Sequence, residues 1–430
     1  MKLLIKGGRI IDPSQQIDKV ADLLIEGDRI DSIIPANSSQ SPSSEMRIFD
    51  AGGLVVVPGF IDLHVHLREP GEEYKETIAS GAAAAVAGGF TSICAMPNTK
   101  PVNDHASVTR YIIDKAREAG FARVYPVGAI TRESKGEELA EMAEMKAAGA
   151  VAVSDDGRPV MDSQVVRHAL EYARDHDLVM VDHCQDVQLS AGGVINEGRY
   201  STLLGLKGMS GAAEESHVNR DIMLAKLTGA RVHIAHISTS NSVKLVAAAR
   251  ENGVAVTCEV TPHHLALTDA AVVGFDTNTK MNPPLRSEED RRYLIEKVAD
   301  GTIDAIATDH APHHSDEKML EYDRAPFGVV GLETALGVTL TVLFHTGLVS
   351  LPRIIEMLTI GPARAFAIPG GTLAVGAPAD VTVFDPNREW VVDPQRFRSK
   401  SRNTPFAGWR LRGAVAATFV GGREVFRARE

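Results

Sequence analysis

Residues 55–66, VVVPGFIDLHVH, form an apolar run rich in β-branched side chains that ends in two histidines. Such a run predicts a buried strand. In a doubly wound nucleotide-binding sheet, a glycine-rich turn that binds the dinucleotide follows the first strand. Here His64-Val65-His66 stands at that position instead. The sequence therefore argues against a Rossmann-type sheet.

Further apolar, β-rich runs follow between residues 54 and 365, and helix-like stretches separate them. This alternation predicts parallel strands joined by helices. The eight predicted strands are Val55–His66, Thr91–Pro97, Val124–Ile130, Ala150–Asp155, Leu178–His183, Arg231–Ile237, Val254–Val260 and Ile303–Thr308. Eight repeats favour a closed (β/α)8 barrel of the TIM type over an open sheet. We therefore predict an α/β protein in which residues 54–365 form the barrel.

The two ends of the chain have a different character. Residues 1–53 and 366–430 contain short apolar runs separated by turns, without helical periodicity. Two β-rich ends that flank an α/β middle predict one small domain built from both termini. We expect a β-sandwich there, and residues 36–45, rich in serine, predict a polar loop within it.

Composition restricts the class of protein. With 44% hydrophobic and 23% charged residues, a chain of 430 residues can bury a large core. A net charge of -11 disfavours binding to nucleic acid or to anionic membranes. The three cysteines lie singly in apolar runs, which indicates reduced thiols rather than a disulfide framework. The sequence shows neither a signal-peptide core nor a membrane-spanning run, so we expect a cytoplasmic location.

Polar residues that could bind metal or substrate stand where the predicted strands end. In a barrel, the carboxyl ends of all strands open on the face that carries the active site. We therefore expect these side chains to meet at one mouth. They are His64, His66, Asn98, Asp155, Asp156, His183, His236, His263, His264, Asp309 and His313.

The spacing of these residues predicts a metal site. His64 and His66 are two residues apart on a strand, so both side chains point to the same side and can bind one ion, which Asp309 would complete. A second ion would take its ligands from three other strands: they are His183, His236 and one of Asp155 and Asp156. Imidazole and carboxylate ligands without thiolates suit a hydrolytic Zn²⁺ site.

Two neighbouring residues have other predicted roles. Arg68 follows the histidine pair by two residues, so it is well placed to bind an anionic substrate, with a plain surface arginine as the alternative. His233 precedes His236 by three residues and therefore faces the opposite side of its strand, where we expect a structural or supporting role. The segments 187–218 and 314–326 are candidate lids, although surface loop is the favoured interpretation of the first.

The chain resembles the cyclic amidohydrolases, and in particular the dihydroorotases of the bacterial class I type. The opening strand and its HLREPG ending carry the likeness first, and matching segments follow in order along residues 58–334. These segments are Pro58–Gly71, Met96–Thr99, Ser154–Gly157, His183–Asp186, His236–Thr239, Glu259–Leu265, Asn282–Arg286, Ala307–His313 and Pro326–Thr334. Gly376–Asp380 extends the likeness towards the carboxyl end.

The resemblance implies roles for particular residues. The implied metal ligands are His64, His66, Asp156, His183, His236 and Asp309, and the implied substrate contacts are Arg68, Asn98, Asn282 and His313, with backbone groups near Phe327 and Gly328. Many relatives bridge two metals with a carboxylated lysine on the fourth strand. Residues 149–156, GAVAVSDD, contain no lysine, so the resemblance assigns the bridge to Asp156.

The resemblance also implies a reaction. It is the reversible interconversion of N-carbamoyl-L-aspartate and L-dihydroorotate in de novo pyrimidine (UMP) biosynthesis. Two Zn²⁺ ions bridged by Asp156 and hydroxide are the implied cofactor, with a one-ion form as an alternative, and Asp309 is the implied catalytic proton carrier. The expected partners are the small-molecule substrates and further copies of the chain, and association with aspartate transcarbamoylase is an open alternative.

Two other interpretations compete with this one. An allantoinase or hydantoinase would act on a differently charged ring, and Arg68 together with the missing strand lysine argues against it. A catalytically inactive homologue that serves as a scaffold would be expected to have lost metal ligands, and every implied ligand is present.

Overall fold

The computed structural model describes residues 2–36 and 46–428. Within these residues the strands are β1 Lys2–Asp12, β2 Ile17–Glu26, β3 Arg29–Pro35, β4 Met46–Asp50, β5 Val55–Pro58, β6 Phe60–Val65, β7 Phe90–Ala95, β8 Arg123–Gly128, β9 Ala152–Val153, β10 Val179–Asp182, β11 Ile195–Asn196, β12 Gly208–Met209, β13 Val232–Ile234, β14 Val256–Val260, β15 Ala305–Ile306, β16 Val381–Val391, β17 Arg410–Val420 and β18 Arg423–Arg427. The helices are α1 Ile78–Ala87, α2 Ala106–Ala119, α3 Met142–Ala148, α4 Ser163–Asp175, α5 Arg199–Leu204, α6 Gly211–Thr228, α7 Ser240–Glu251, α8 Pro262–Ala266, α9 Glu288–Asp300, α10 Ser315–Lys318, α11 Ala335–Thr339, α12 Leu351–Leu358 and α13 Ile360–Phe366.

Eight parallel strands form the predicted barrel. Their order is β6, β7, β8, β9, β10, β13, β14 and β15, which follows the chain. A parallel bridge between Val65 and His310 joins the end of β6 to the segment after β15. The amide of His66 donates to the carbonyl of His310 at 2.8 Å, so the two ends of the sheet meet. The barrel therefore collects the carboxyl ends of its strands at one mouth, as expected.

The predicted first strand, 55–66, is wrong as a single element. β5 pairs with β1 and β16 in the sheet of the chain ends, and β6 begins the barrel. The break falls at Pro58-Gly59, where proline has no amide to donate. A side chain at residue 59 would overlap Thr91, so glycine allows the backbone to pass close to β7.

Strands from both chain ends form one sheet. Its order is β18, β17, β16, β5, β1, β2 and β3, with β4 beside β1. Ile5, Leu23, Val383 and Phe419 lie in the separate apolar core of this sheet. The predicted small β domain is thus confirmed. We keep its division from the barrel, 1–53 with 366–430 against 54–365, as a proposal, and residues 37–45 of the predicted polar loop lie outside the described residues.

Helix α3 begins at Met142. Before it, Arg132 donates its amide to the carbonyl of Glu138, and Ala140 donates to Ile130, so residues 138–140 pair as extended chain. Helix α6 begins at Gly211 and therefore includes the end of the segment predicted as a loop. Among the described helices, none combines the length and the apolar character that crossing a membrane requires.

Candidate active site

The two histidines at the end of β6 meet Asp309, which follows β15. His66 Nε2 lies 3.1 Å from Asp309 Oδ1, and His64 Nε2 lies 3.7 Å from the same oxygen. One ligand atom from each of the three residues falls within 4.8 Å of the others, and all three side chains are buried. The structure therefore brings together the three residues predicted to hold a first ion.

The residues predicted to hold a second ion lie beside this group. His183 Nδ1 and His236 Nε2 are 2.9 Å apart, and each lies 3.6 Å from Asp156 Oδ1. The second carboxylate oxygen of Asp156 lies 3.5 Å from His66 Nε2. Asp156 thus stands between the two groups, where one carboxylate can face two ions.

Asp155 points in the other direction. Its carboxylate accepts hydrogen bonds from the amides of Ile130 and Thr131 at 2.8 and 3.2 Å, so it fastens the end of β8. Adjacent residues of an extended chain face opposite sides, which is why only one of the pair reaches the mouth. The structure thus places Asp156, and not Asp155, in the cluster.

The donor atoms of the cluster fit a cation. Among the described residues, the buried atoms His64 Nε2 and Asp156 Oδ1 make no hydrogen bond. Leaving such atoms unpaired in the interior costs free energy, and a bound cation would remove that cost. Imidazole nitrogens with carboxylate oxygens are ligands that Zn²⁺ prefers. The cluster could therefore hold a metal.

The carboxylates of the cluster are held in their charged form. Burial raises the pKa of Asp156, but the charge of His64 and the close imidazoles of His183 and His236 outweigh burial and set the pKa well below its ordinary value. Burial also raises the pKa of Asp309, but the hydrogen bond with His66 and the neighbouring imidazoles outweigh burial and lower it. Both side chains are thus ionised at neutral pH, as a metal ligand must be.

Three residues at the mouth have left-handed backbone conformations, which are costly for side chains other than glycine. The φ angles are 61° at Arg68, 32° at His236 and 47° at Asp309. Such strain of about 1–3 kcal/mol per residue clusters at functional sites, where the surrounding structure sustains it.

Glu259 on β14 supports the cluster from behind, a role that the sequence analysis did not assign. Its Oε1 lies 3.0 Å from His64 Nδ1, and its Oε2 lies 3.1 Å from His233 Nε2. Burial raises the pKa of Glu259, but the hydrogen bonds and charges of the two histidines outweigh burial and bring the pKa to about 2. Because a carboxylate only accepts, His64 donates from Nδ1 and keeps Nε2 free for a metal. His233 thus has the supporting place expected of it.

Asn98 lies next to the metal cluster. Its Oδ1 is 2.8 Å from His66 Nδ1, so the amide oxygen accepts from the imidazole and orients it. Its amide group, on the other side of the same carboxamide, has no protein acceptor among residues 2–36 and 46–428. The predicted substrate residue therefore contacts a predicted ligand and retains hydrogen-bond donors.

Arg68 extends from the end of β6 towards the segment after β15. Its Nε donates to the carbonyl of Pro312 at 3.2 Å, and its Nη2 lies 3.4 Å from His313 Nε2. In the part of the chain that the structure describes, no carboxylate forms an ion pair with it. A half-buried guanidinium with unused donors is a site for an anion.

His313 joins Arg68 to the segment that contains Phe327 and Gly328. Its Nε2 lies 2.8 Å from the carbonyl oxygen of Phe327. Burial and the nearby charge of Arg68 lower the pKa of His313 to about 2, so the ring is neutral. Gly328, with a φ of 127°, packs so closely that an added Cβ would come within 3.2 Å of His313 Nε2.

Asn282 lies on the other side of the cluster. Its Nδ2 donates to Gln185 Oε1 at 2.8 Å and lies 3.2 Å from His183 Nε2. A cavity of about 530 Å³, lined by Asn282, Phe327 and the candidate lid segments, opens beside it.

His263 and His264, also predicted at a strand end, lie in α8 and outside the cluster. The ring of His264 is held 3.1 Å from the carbonyl of Pro283.

Comparisons with known proteins agree with this arrangement. A family model described as dihydro-orotase-like matches residues 53–242, and an amidohydrolase family model matches residues 296–426. Curated dihydroorotases of Geobacter metallireducens and Anaeromyxobacter sp. are 52% and 56% identical to this chain. They match 99% and 98% of this chain and 100% and 97% of their own lengths. The chain belongs to the dihydroorotase family.

Solved structures of hydantoinases share the fold of this dihydroorotase family member. An L-hydantoinase (dihydropyrimidinase) from Arthrobacter aurescens has a TM-score of 0.88 and 26% identity, and covers 100% of this chain and 96% of its own. A D-hydantoinase from Thermus sp. has a TM-score of 0.85 at 24% identity, and covers 99% and 95%. The second likeness shows the shared barrel with its β domain and no more.

Proposed function

We propose that this protein is a zinc-dependent dihydroorotase. It would open the cyclic amide of L-dihydroorotate to N-carbamoyl-L-aspartate, and close it in the reverse direction. The observation that carries the proposal is Arg68, a half-buried cation without an ion-pair partner among the described residues, next to a cluster of imidazoles and carboxylates. Both substrates carry a carboxylate that such a cation would bind. Identities of 52% and 56% to curated dihydroorotases over nearly the whole chain support the same reaction.

The metal would be held by the six residues predicted for it. His64, His66 and Asp309 would bind one Zn²⁺, His183 and His236 a second, and Asp156 would lie between them, with a one-ion form as the alternative. When bound, such an ion lowers the pKa of water to near 7 and polarises a carbonyl oxygen. Glu259 keeps His64 in the tautomer that this binding requires.

The substrate carboxylate would be bound at the other end of the site. Arg68 would supply the charge, and Asn98 and His313 would supply hydrogen-bond partners for the same carboxylate. Asn282 and the backbone at Phe327 and Gly328 would hold the ring. A carboxylate fixed in this way would direct the scissile amide carbonyl towards the cluster, and such positioning accounts for much of an enzyme's rate.

Asp309 would be the catalytic residue that moves the proton. In hydrolysis, its carboxylate accepts the proton of the attacking water as the new carbon–oxygen bond forms. It then returns the proton to the ring nitrogen as the carbon–nitrogen bond breaks. In the reverse direction, Asp309 accepts the ureido proton as the nitrogen attacks the carboxyl carbon, and it returns the proton to the carboxyl oxygen as the carbon–oxygen bond breaks and water leaves. Burial raises the pKa of Asp309, but the hydrogen bond with His66 and the neighbouring imidazoles bring it below the ordinary value, so the side chain is ionised, as a proton acceptor must be.

The cellular setting is part of the proposal. Dihydroorotate formation would serve de novo pyrimidine biosynthesis in the cytoplasm. We expect a homo-oligomer, and a complex with aspartate transcarbamoylase is an alternative assembly that gel filtration of the mixed proteins would reveal.

The experiment that tests the proposal compares Arg68→Met with the wild type and with Arg110→Met, an exposed arginine of α2. Losing one partner of a desolvated charge pair costs about 2–5 kcal/mol. We therefore expect kcat/KM for dihydroorotate to fall by at least about 30-fold in Arg68→Met and to stay unchanged in the control. A decrease of less than threefold, or a wild type that hydrolyses hydantoin faster than dihydroorotate, would refute the proposal.

A further inference from the structure

Asn403, which lies in the loop between β16 and β17, reaches the mouth of the barrel. This loop belongs to the carboxyl-terminal part of the chain, which otherwise builds the small β domain. The side chain is only 4% exposed. Neighbouring residues fasten the same loop to the barrel, since Ser401 Oγ donates to the carbonyl of Lys75 at 2.8 Å.

Every hydrogen-bonding group of the Asn403 side chain is used. Its Nδ2 donates to the carbonyls of Ala311 at 3.0 Å and Gly328 at 3.1 Å. Its Oδ1 accepts from the amide of His313 at 3.1 Å. The three bonds join two segments that come from different parts of the chain, and both segments end on predicted substrate contacts. One carboxamide thus fixes His313 relative to Gly328.

The segment around Gly328 is fastened by buried cations as well. Lys318 Nζ donates to the carbonyls of Pro326 at 2.9 Å and Gly328 at 3.1 Å. Lys280 Nζ donates to the carbonyl of Ala325 at 2.6 Å. The carbonyl of Gly328 therefore accepts from both Lys318 and Asn403, which uses both of its lone pairs. This leaves the Phe327 carbonyl directed at His313 Nε2.

We propose that Asn403 is a positioning residue for the substrate-carboxylate end of the site. It acts by holding His313 and the Phe327–Gly328 backbone in the geometry that Arg68 needs beside them. The inference rests on the proposed function, because the substrate contacts are those of a dihydroorotase. Neither the comparisons nor the sequence motifs assign a role to this residue. This role of Asn403 also gives the small β domain a part in substrate binding, because the loop between β16 and β17 completes the mouth.

A positioning role for Asn403 differs from simple stabilisation in the property that its loss changes. Asparagine at this place offers two donors and one acceptor in a fixed plane, and no other side chain of this size does. Truncation would leave the carbonyls of Ala311 and Gly328 short of a donor and free both segments to shift. Such a shift would weaken the contacts of His313 and of the Phe327–Gly328 backbone with the substrate in the ground state and the transition state alike, which raises KM and leaves kcat nearly unchanged. The loss should therefore appear in substrate binding before it appears in metal binding.

The test uses Asn403→Ala in the full-length zinc-loaded protein, with Thr418→Val as the matched control. Thr418 on β17 is also buried and also joins the small β domain to the barrel, since its Oγ1 donates to the carbonyl of Val86 at 2.7 Å, and it contacts neither segment. We expect the KM for dihydroorotate to rise about tenfold in Asn403→Ala, with kcat within about threefold of the wild type and unchanged zinc content. The Thr418→Val protein should keep the wild-type KM.

Asn403→Asp provides the second variant if truncation prevents folding. It keeps the size of the side chain and the acceptor for the His313 amide, but it sets a carboxylate against two carbonyl oxygens. We expect the same rise in KM. An unchanged KM in the variant that folds, or an equal rise in Thr418→Val, overturns the inference. Failure of the wild type to hydrolyse dihydroorotate refutes the proposed function instead, so the two failures are distinguishable.

Discussion

Substitution of Glu259 tests whether the cluster is a metal site supported from behind. The carboxylate is 1% exposed and accepts from His64 Nδ1 at 3.0 Å and from His233 Nε2 at 3.1 Å. Glutamine in its place can accept from only one of the two rings, and a neutral acceptor forms a hydrogen bond about half as strong. Alanine accepts from neither. Removal of a group that hydrogen-bonds a metal-binding histidine lowers metal affinity about 10–100-fold.

We therefore expect zinc affinity to fall about tenfold in Glu259→Gln and about 100-fold in Glu259→Ala, or about 1.4 and 2.8 kcal/mol. Competition with a chromogenic chelator measures the affinity, and thermal unfolding verifies that each variant is folded. Glu214→Gln is the matched control, since Glu214 is equally buried and accepts from the amides of Ser238 and Thr239, which are not predicted ligands. If Glu259→Ala binds zinc within threefold of the wild type, the supporting role is refuted.

Two further predictions concern proton transfer and pH. Asp309→Asn should reduce kcat by about 10²–10⁴-fold while zinc content falls only in part, and retained turnover would remove Asp309 from the mechanism. Burial raises the pKa of Glu333 from 4.5 to about 7. The protonated carboxyl therefore favours the folded state fully below pH 4.5, and this contribution to stability is lost as the pH rises through 7. The free energy of unfolding of Glu333→Gln should therefore exceed that of the wild type above pH 7, by at most about 3 kcal/mol, and should equal it near pH 4.5. A difference that does not change with pH would contradict this assignment.

The barrel and the strand-end residues could be predicted because both follow from local periodicity. Alternation places His64 and His66 on one side of a strand, and a closed barrel brings the ends of distant strands together. Alternation also indicated that only one of Asp155 and Asp156 reaches the mouth, and the resemblance to the family selected Asp156. The first strand was mispredicted because an apolar run carries no sign of which sheet each half joins, and only the Pro58-Gly59 pair marked the break.

Glu259 and Asn403 could not be assigned in the same way. The contact of Glu259 with His233 depends on the register in which His233 faces Thr257, and a sequence pattern does not give the register of parallel strands. Asn403 contacts residues 92 and 75 positions earlier from an irregular loop, where no periodicity exists. Glu259 nevertheless had a signal, since it is the one charged residue in the apolar strand Val256–Val260.

The measurement that bears most directly on the central claim is zinc titration of chelator-stripped protein, with bound metal and dihydroorotate hydrolysis followed in the same preparation. The proposed chemistry predicts no turnover without metal, a rise in activity that parallels zinc bound, and a plateau at two ions per chain. Asp156→Asn should bind zinc less tightly and recover little activity at that plateau. Full hydrolysis by the stripped protein, or zinc uptake without any gain in activity, would contradict it.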